Sequence, residues 1–187
     1  MVTSTNDAKQ ELILAQAQNI IATAGVEAVS MAELAKATGL SRPAIYQYFA
    51  SREHVLAELV INEMADLSNV LDEHLAKFDE PAEQIRVWVH YTLAHLSSAD
   101  HRIIRQISMD ALPAESRGMI NAMHGHFMTS LINPLREVGV ADPGATCHLI
   151  FASVAQAAKR IDEGGDFVRE AAILEKFTMA GIKGAIG

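Results

Sequence analysis

Apolar residues recur at every third or fourth position through most of the 187-residue chain, and glycine, proline or short polar runs interrupt them. That is the period of helices packed on one face, not the alternation of strands. Ile13, Ala17, Ile20 and Ala24 give one face to a first helix over residues 7–24, with Asn6 or Asp7 placed to cap it and Gly25 to end it. A long helix over residues 52–76 carries Val55, Leu56, Leu59, Ile61, Met64, Leu67 and Leu71, with Ser51 as its cap. Asp79-Glu80-Pro81 breaks the pattern and restarts it, because proline is tolerated in a first helical turn where its missing N–H is not needed. The following helix, 81–96, carries Ile85, Trp88, Tyr91, Thr92 and His95. Asp100 is placed to cap a short helix with Ile103, Ile104 and Ile107 that runs out near Pro113. Ser116 is expected to start a long helix with Ile120, Met123, Phe127, Met128, Leu131 and Leu135, kinked or locally broken at Pro134 and ended by Gly139. Asp142-Pro143 opens another with Leu149, Ile150, Val154, Ala158 and Ile161. Gly164-Gly165 then turns the chain, Asp166 caps, and Val168, Ala172, Leu174 and Phe177 mark a last helix. Two amphipathic helices joined by so short a turn form an αα-hairpin.

Residues 30–52, SMAELAKATGLSRPAIYQYFASR, hold two shorter helices and carry the most specific pattern in the chain. Ser30 followed three residues on by Glu33 is a capping box. Gly39 stands where a helix must end in a residue tolerant of positive φ. Ser41 is placed to cap the next helix, and Pro43 falls in its first turn. Small Ala35, Gly39 four residues later and apolar Ile45 six further on make a helix-turn-helix: close approach, turn and lock. Ile45 and Phe49 would pack back on Leu34 and Leu40. Ser41, Arg42, Ala44, Tyr46, Gln47 and Tyr48 are left facing outward, as a helix read into a major groove requires. Without the outward set, the same spacing would describe an αα-corner within a helical bundle.

The run L-A-x-x-x-G-L-S-R-P-A-I-Y-x-Y-F-x-S-R-E, with an apolar helix before it and Val55-Leu56 after, resembles the TetR family of transcriptional regulators over residues 9–58. The resemblance implies that Tyr46, Tyr48 and Arg52 contact phosphates and that Arg42, Pro43, Ala44 and Gln47 face base edges. A phenol hydroxyl is a suitable phosphate donor, and an arginine can reach guanine bidentately. Ser30 and Ser41 complete the candidate DNA-binding set. Ala32 stands where some relatives place a base-reading arginine, which shifts readout towards Arg42 and Gln47. The tail has no cation before Lys9, so the minor-groove arm of other family members is not expected. The family's architecture implies an all-α protein of about nine helices: an N-terminal three-helix DNA-binding domain, 1–52, and a larger helical ligand-binding and dimerisation domain, 53–187.

Two further sites follow. Trp88, Tyr91, Met109, Met123, Phe127 and Phe151, with Thr92, His95 and His124 as polar points, are the ingredients of an apolar ligand pocket. The same residues at helical spacing would also make an ordinary core. Paired hairpins meeting about a twofold axis, which the family uses for dimers, would place Ile150, Val154, Ala158, Ile161, Val168, Ala172 and Leu174 at the interface. The alternative is that both helices cover the monomer's own core.

Half the residues are hydrophobic, which excludes a disordered chain. The start, MVTSTNDAK, shows no secretory signal, and no apolar run suits a membrane span, so a cytoplasmic protein is expected. One cysteine, Cys147, excludes an intrachain disulfide and reads as a small buried hydrophobe more readily than a redox thiol. The eight histidines are poorly spaced for a metal: His124 and His126 are two apart, His90 and His95 five. No nucleophile elbow, phosphate loop or dinucleotide fingerprint is present, so neither an enzyme nor a cofactor is expected. Net charge is −8, adverse for a nucleic-acid binder. Residues 1–56 hold Lys9, Lys36, Arg42 and Arg52 against five acids, so only −1 of it falls there. Modest affinity per protomer, strong salt dependence and dimerisation are expected. The leading reading is a ligand-responsive repressor that binds a near-palindromic operator as a homodimer and is released by a small, largely apolar effector. The acidic charge keeps open a second reading, a helical small-molecule or protein-binding module without specific DNA binding.

Overall fold

The computed structural model describes residues 5–186. Among them nine α-helices and two short 3-10 turns account for nearly all the chain. The helices are α1 (Thr5–Ala24), α2 (Met31–Thr38), α3 (Arg42–Tyr46), α4 (Arg52–Leu75), α5 (Pro81–Leu96), α6 (Ala99–Ile104), α7 (Ala114–Glu137), α8 (Pro143–Asp162) and α9 (Phe167–Ala185). The 3-10 turns are Val26–Ala28 and Met109–Ala111. The all-α expectation holds.

Local chemistry sets most of the ends. Ser30, Ser41, Asp142 and Asp166 each accept a backbone N–H three residues on, the usual work of an N-cap. Pro81 and Pro143 each fall in the first turn of the helix they open. Gly39 ends α2 at φ 71°. Gly164 turns the α8–α9 hairpin at φ 102°, and a Cβ on Gly165 would meet the Arg160 carbonyl oxygen at 2.8 Å, so both glycines are required there.

Three expectations are corrected. Asp100 lies inside the first turn of α6, and Ser98 caps it, its Oγ accepting the His101 N–H at 3.1 Å. α6 stops at Ile104, with the 3-10 turn following, and α7 begins at Ala114, two residues before Ser116. Pro134 does not locally break α7: the helix runs through it to Glu137. The proline forgoes one N–H bond and crowds the turn before it, and the helix continues for three residues beyond it. α1 is already helical at Thr5, while the side chains of Asn6 and Asp7, the expected caps, lie outside the described residues.

The chain forms two compact units, one of residues up to Glu63 with Arg102–Asn121, the other of Met64–His101 with Ala122–Gly187. The boundary expected after residue 52 falls within the first. In that unit α1 packs on α2 and α2 on α3, with Ile13, Ala17, Ile21, Leu34, Ala35, Ile45 and Phe49 buried. In the second, α8 packs on α5 and α9, and Ile85, Trp88, Leu93, Phe127, Leu131, Cys147, Val154 and Ala157 fill the core. A short bridge pairs Val140 with Ile186, and the Ala141 N–H donates to the Ala185 carbonyl at 3.0 Å, tying the chain's end to the α7–α8 connection.

Candidate nucleic-acid interface

The turn between α2 and α3 is fixed from both sides. The Thr38 hydroxyl donates to the Leu34 carbonyl at 2.7 Å and accepts the Leu40 N–H at 3.3 Å, so one side chain spans the end of α2 and the start of the turn. Gly39 supplies the left-handed residue between them. Ile45 is fully buried and Phe49 nearly so. These two apolar anchors turn the other faces of α3 outward. Ser41, Arg42, Pro43, Tyr46 and Gln47 are exposed, and Ala44 and Tyr48 are half-buried. Tyr46 keeps half its surface in solvent, so its ring is not a core aromatic with a wet hydroxyl. Ser30 is half-buried and engaged with the Glu33 N–H at 3.1 Å. Eight of the nine DNA-binding candidates thus lie on or beside the helix-turn-helix with no competing tertiary role given to their side chains beyond capping.

Arg52 differs. It is the first residue of α4, and its Nε donates to the Val29 carbonyl at 2.9 Å while an Nη donates to the Val26 carbonyl at 2.8 Å. Glu27 and Glu53 stand 3.6 Å from its other faces. Glu53 is itself held below the usual carboxylate range, first by a backbone N–H at the helix start and then by the Ser51 hydroxyl. Ser51 also accepts the His54 N–H at 3.4 Å, the cap expected of it.

The pocket candidates scatter. Trp88, Thr92 and Phe127 are buried in the core of the second unit, and the Trp88 indole N–H donates to Ser130 Oγ at 3.0 Å. Phe127 stacks on Trp88 at 4.9 Å and meets Phe151 edge-on at 5.9 Å, with the exposed His124 ring near both. The Thr92 hydroxyl is buried without a hydrogen-bond partner. Tyr91 stacks on His74 at 4.1 Å, and His95 lies 5.3 Å from His101. Met123 is half-buried, and Met109 is exposed in its 3-10 turn in the other unit. Trp88, Phe127, Phe151 and His124 are therefore brought together, whereas Met109 is not. Cys147 is buried, its thiol 3.6 Å from the Met128 carbonyl, and burial pushes its pKa up to about 11. It is an inert core residue.

The structure places most of the interface candidates within the protomer's own core. Ile150, Val154, Ala158 and Leu174 belong to the core of the second unit, and Ile161 packs against it. Only Val168 and Ala172 face out. Besides Val168, the outward large apolar side chains of α8 and α9 are Leu149 (71 % exposed), Ile173 and Phe177 (65 %), which the sequence reading passed over for this role. They line a groove with Ala152, Ser153 and Gln156 of about 400 Å³, continued towards Gly181 and Ile182 by one of about 220 Å³.

A short outward helix held by a buried isoleucine and a glycine turn, on a helical chain, defines a helix-turn-helix regulator of transcription. The model for bacterial regulatory proteins of the tetR family matches residues 13–59. Nucleoid occlusion factor SlmA of Vibrio campbellii is 31 % identical over 136 residues, 69 % of this chain and 67 % of SlmA. The fold is shared with FadR of Bacillus subtilis in complex with stearoyl-CoA, at TM-score 0.77 and 19 % identity over 91 % of this chain and 98 % of FadR. It is shared too with AibR in complex with isovaleryl coenzyme A and operator DNA, at TM-score 0.75 and 18 % identity over 90 % and 97 %. The chain belongs to the TetR family of bacterial regulatory proteins. No helix among the described residues is long and apolar enough to cross a membrane.

Proposed function

We propose that the protein is a ligand-responsive repressor that binds a near-palindromic operator as a homodimer. The observation that carries this is the outward face of α3: Arg42, Tyr46 and Gln47 exposed side by side on a helix anchored from behind by Ile45. Arg42, at the first position of α3, reads a guanine edge, and Gln47 an adjacent base. Pro43 and Ala44 give the close apolar approach, with Ala44 against a thymine methyl. Tyr46 and Tyr48 bind phosphates that fix the register, and Ser30 and Ser41 add hydroxyls at the two helix starts.

Dimerisation is supported by the outward groove of α8 and α9, where Leu149, Ile173 and Phe177 leave apolar surface uncovered on one protomer. A second copy meeting it about a twofold axis would bury that surface, and would set two recognition helices ~34 Å apart, one turn of the duplex. An effector that prefers a dimer with another spacing lowers operator affinity by population shift. The effector is small and largely apolar. Support comes from the aromatic group of Trp88, Phe127 and Phe151 and the unpartnered Thr92 hydroxyl. FadR and AibR hold acyl-CoA molecules; their acyl chains support an apolar acyl group in the effector, while their coenzyme A part is charged.

Selection of genomic fragments by the purified protein at several salt concentrations tests the reading. A palindromic motif, bound by two protomers and weakening steeply with salt, is the expected result. A folded protein that enriches no sequence at low salt would sink it and leave the binding-module reading that the net charge of −8 suggests.

A further inference from the structure

We infer that Arg52 is a positioning residue that closes the base of the helix-turn-helix, and not one of its phosphate contacts. The inference rests on the DNA-binding reading above. The carbonyls that Arg52 engages, Val26 and Val29, lie just before α2, and Arg52 itself opens α4. α2, the Gly39 turn and α3 are therefore all contained in the stretch of chain that one guanidinium ties off, the bonded pairs being 23 and 26 positions apart in sequence. The segment of α2, turn and α3 is held at its two ends, upstream at Val26 and Val29 and downstream at the start of α4, and Arg52 joins the two.

Charge and shape agree with this role. A guanidinium is a rigid fork whose N–H groups reach two carbonyls at once, which a lysine's single nitrogen on a flexible stem does not hold in fixed geometry. The side chain is only 24 % exposed; Glu27 lies 3.6 Å from the nitrogen that bonds Val26, and Glu53 3.6 Å from the third nitrogen. A DNA phosphate drawn to this group would arrive beside two carboxylates. The positive charge of Arg52 is already balanced within the fold, and it takes no part in displacing counterions from DNA.

Two measurements test the assignment. In the NMR spectrum of free wild-type protein, the Arg52 Nε–H is slow to exchange with solvent, and it stays so when operator DNA is added. Fast exchange in the free protein overturns the clamp without any variant being made. Next, Arg52→Lys and Arg52→Gln are titrated with operator at several salt concentrations. Both bind about tenfold more weakly than wild type at every salt, with an unchanged slope of log K against log salt, because no phosphate contact has gone. A lysine variant with wild-type affinity, or a glutamine variant whose slope falls by about 0.9, shows a phosphate contact instead and overturns the inference. If wild-type protein binds no DNA, the functional reading fails and the positioning role falls with it. The protected Nε–H then remains as a property of the fold alone, so the two failures are told apart.

Discussion

Arg42 is the exposed first residue of α3, with Ser41 capping just behind it and Ile45 buried one turn on, so its side chain is presented by a fixed backbone. Removing it would strip the proposed base-edge contact without disturbing the packing. Arg42→Ala is expected to weaken operator binding by ~1–3 kcal/mol and to relax preference at one base pair, read in mobility shifts against single-base operator variants. Tyr46→Phe should behave differently: it keeps the ring and removes a phosphate donor, so affinity falls alike for all sequences. The buried thiol gives a prediction of another kind. Burial raises Cys147 from its ordinary value of 9.0 to about 11, so in the native protein it is a neutral thiol at about pH 8 and should resist iodoacetamide that alkylates it readily in urea. The sign follows. The unfolded chain ionises first, so the neutral buried thiol contributes fully below pH 9 and that contribution is lost as pH rises through about 11. Urea unfolding should show wild type losing stability relative to Cys147→Ala between about pH 9 and pH 11. Parallel curves would mean that the thiol is solvated.

At the scale of the element, two glycines separate backbone need from mere tolerance. A Cβ on Gly165 would meet the Arg160 carbonyl oxygen at 2.8 Å, while one on Gly125, within α7, meets nothing within 4 Å. Gly165→Ala should therefore lower thermal stability by forcing the α8–α9 turn to shift, and Gly125→Ala should raise it by about 0.5–1 kcal/mol, the helix-propensity difference. The reverse order would mean the hairpin is adaptable. Element ends of this sort were legible in the sequence because caps and turns are local chemistry: Pro81, Asp142, Asp166, Gly39 and Gly164 all act where their residue type says they should. Ser98 was missed for Asp100 because both are good caps two residues apart and only the backbone chooses. Faces were harder. On α8, Leu149 and Ile150 are neighbours of equal hydropathic weight, and periodicity does not say which stripe meets the protein's own core. The structure turns Ile150 and Val154 inward and Leu149 outward, so the residues named for the interface from sequence include the stripe that meets the protein's own core. Arg52 was legible as part of the motif, but its bonds to the chain before α2 were not, because the carbonyls it binds are 23 and 26 positions away.

The whole molecule must reconcile a net charge of −8 with binding to a polyanion. One protomer offers few cations near α3, so phosphate attraction is small, and in the proposed homodimer useful affinity would depend on two copies acting together. The second binding event is then intramolecular, which multiplies affinity by about 10²–10⁴ with no new contact. Leu149 and Phe177 are the outward apolar residues most open to test, because at 71 % and 65 % exposure they contribute little to the core of a single chain. Replacing both with glutamate places four like charges across the proposed twofold interface and leaves each protomer's interior intact. The double variant should keep its far-UV circular dichroism and sediment as a monomer where wild type is a dimer. Its operator affinity should fall by at least about 10², and its salt slope should drop to roughly half, since half the phosphate contacts remain per bound particle. A variant that still sediments as a dimer would place the interface on another face of the protein. A monomer that keeps wild-type affinity would separate dimerisation from DNA binding, and the twofold operator would have to be abandoned with it.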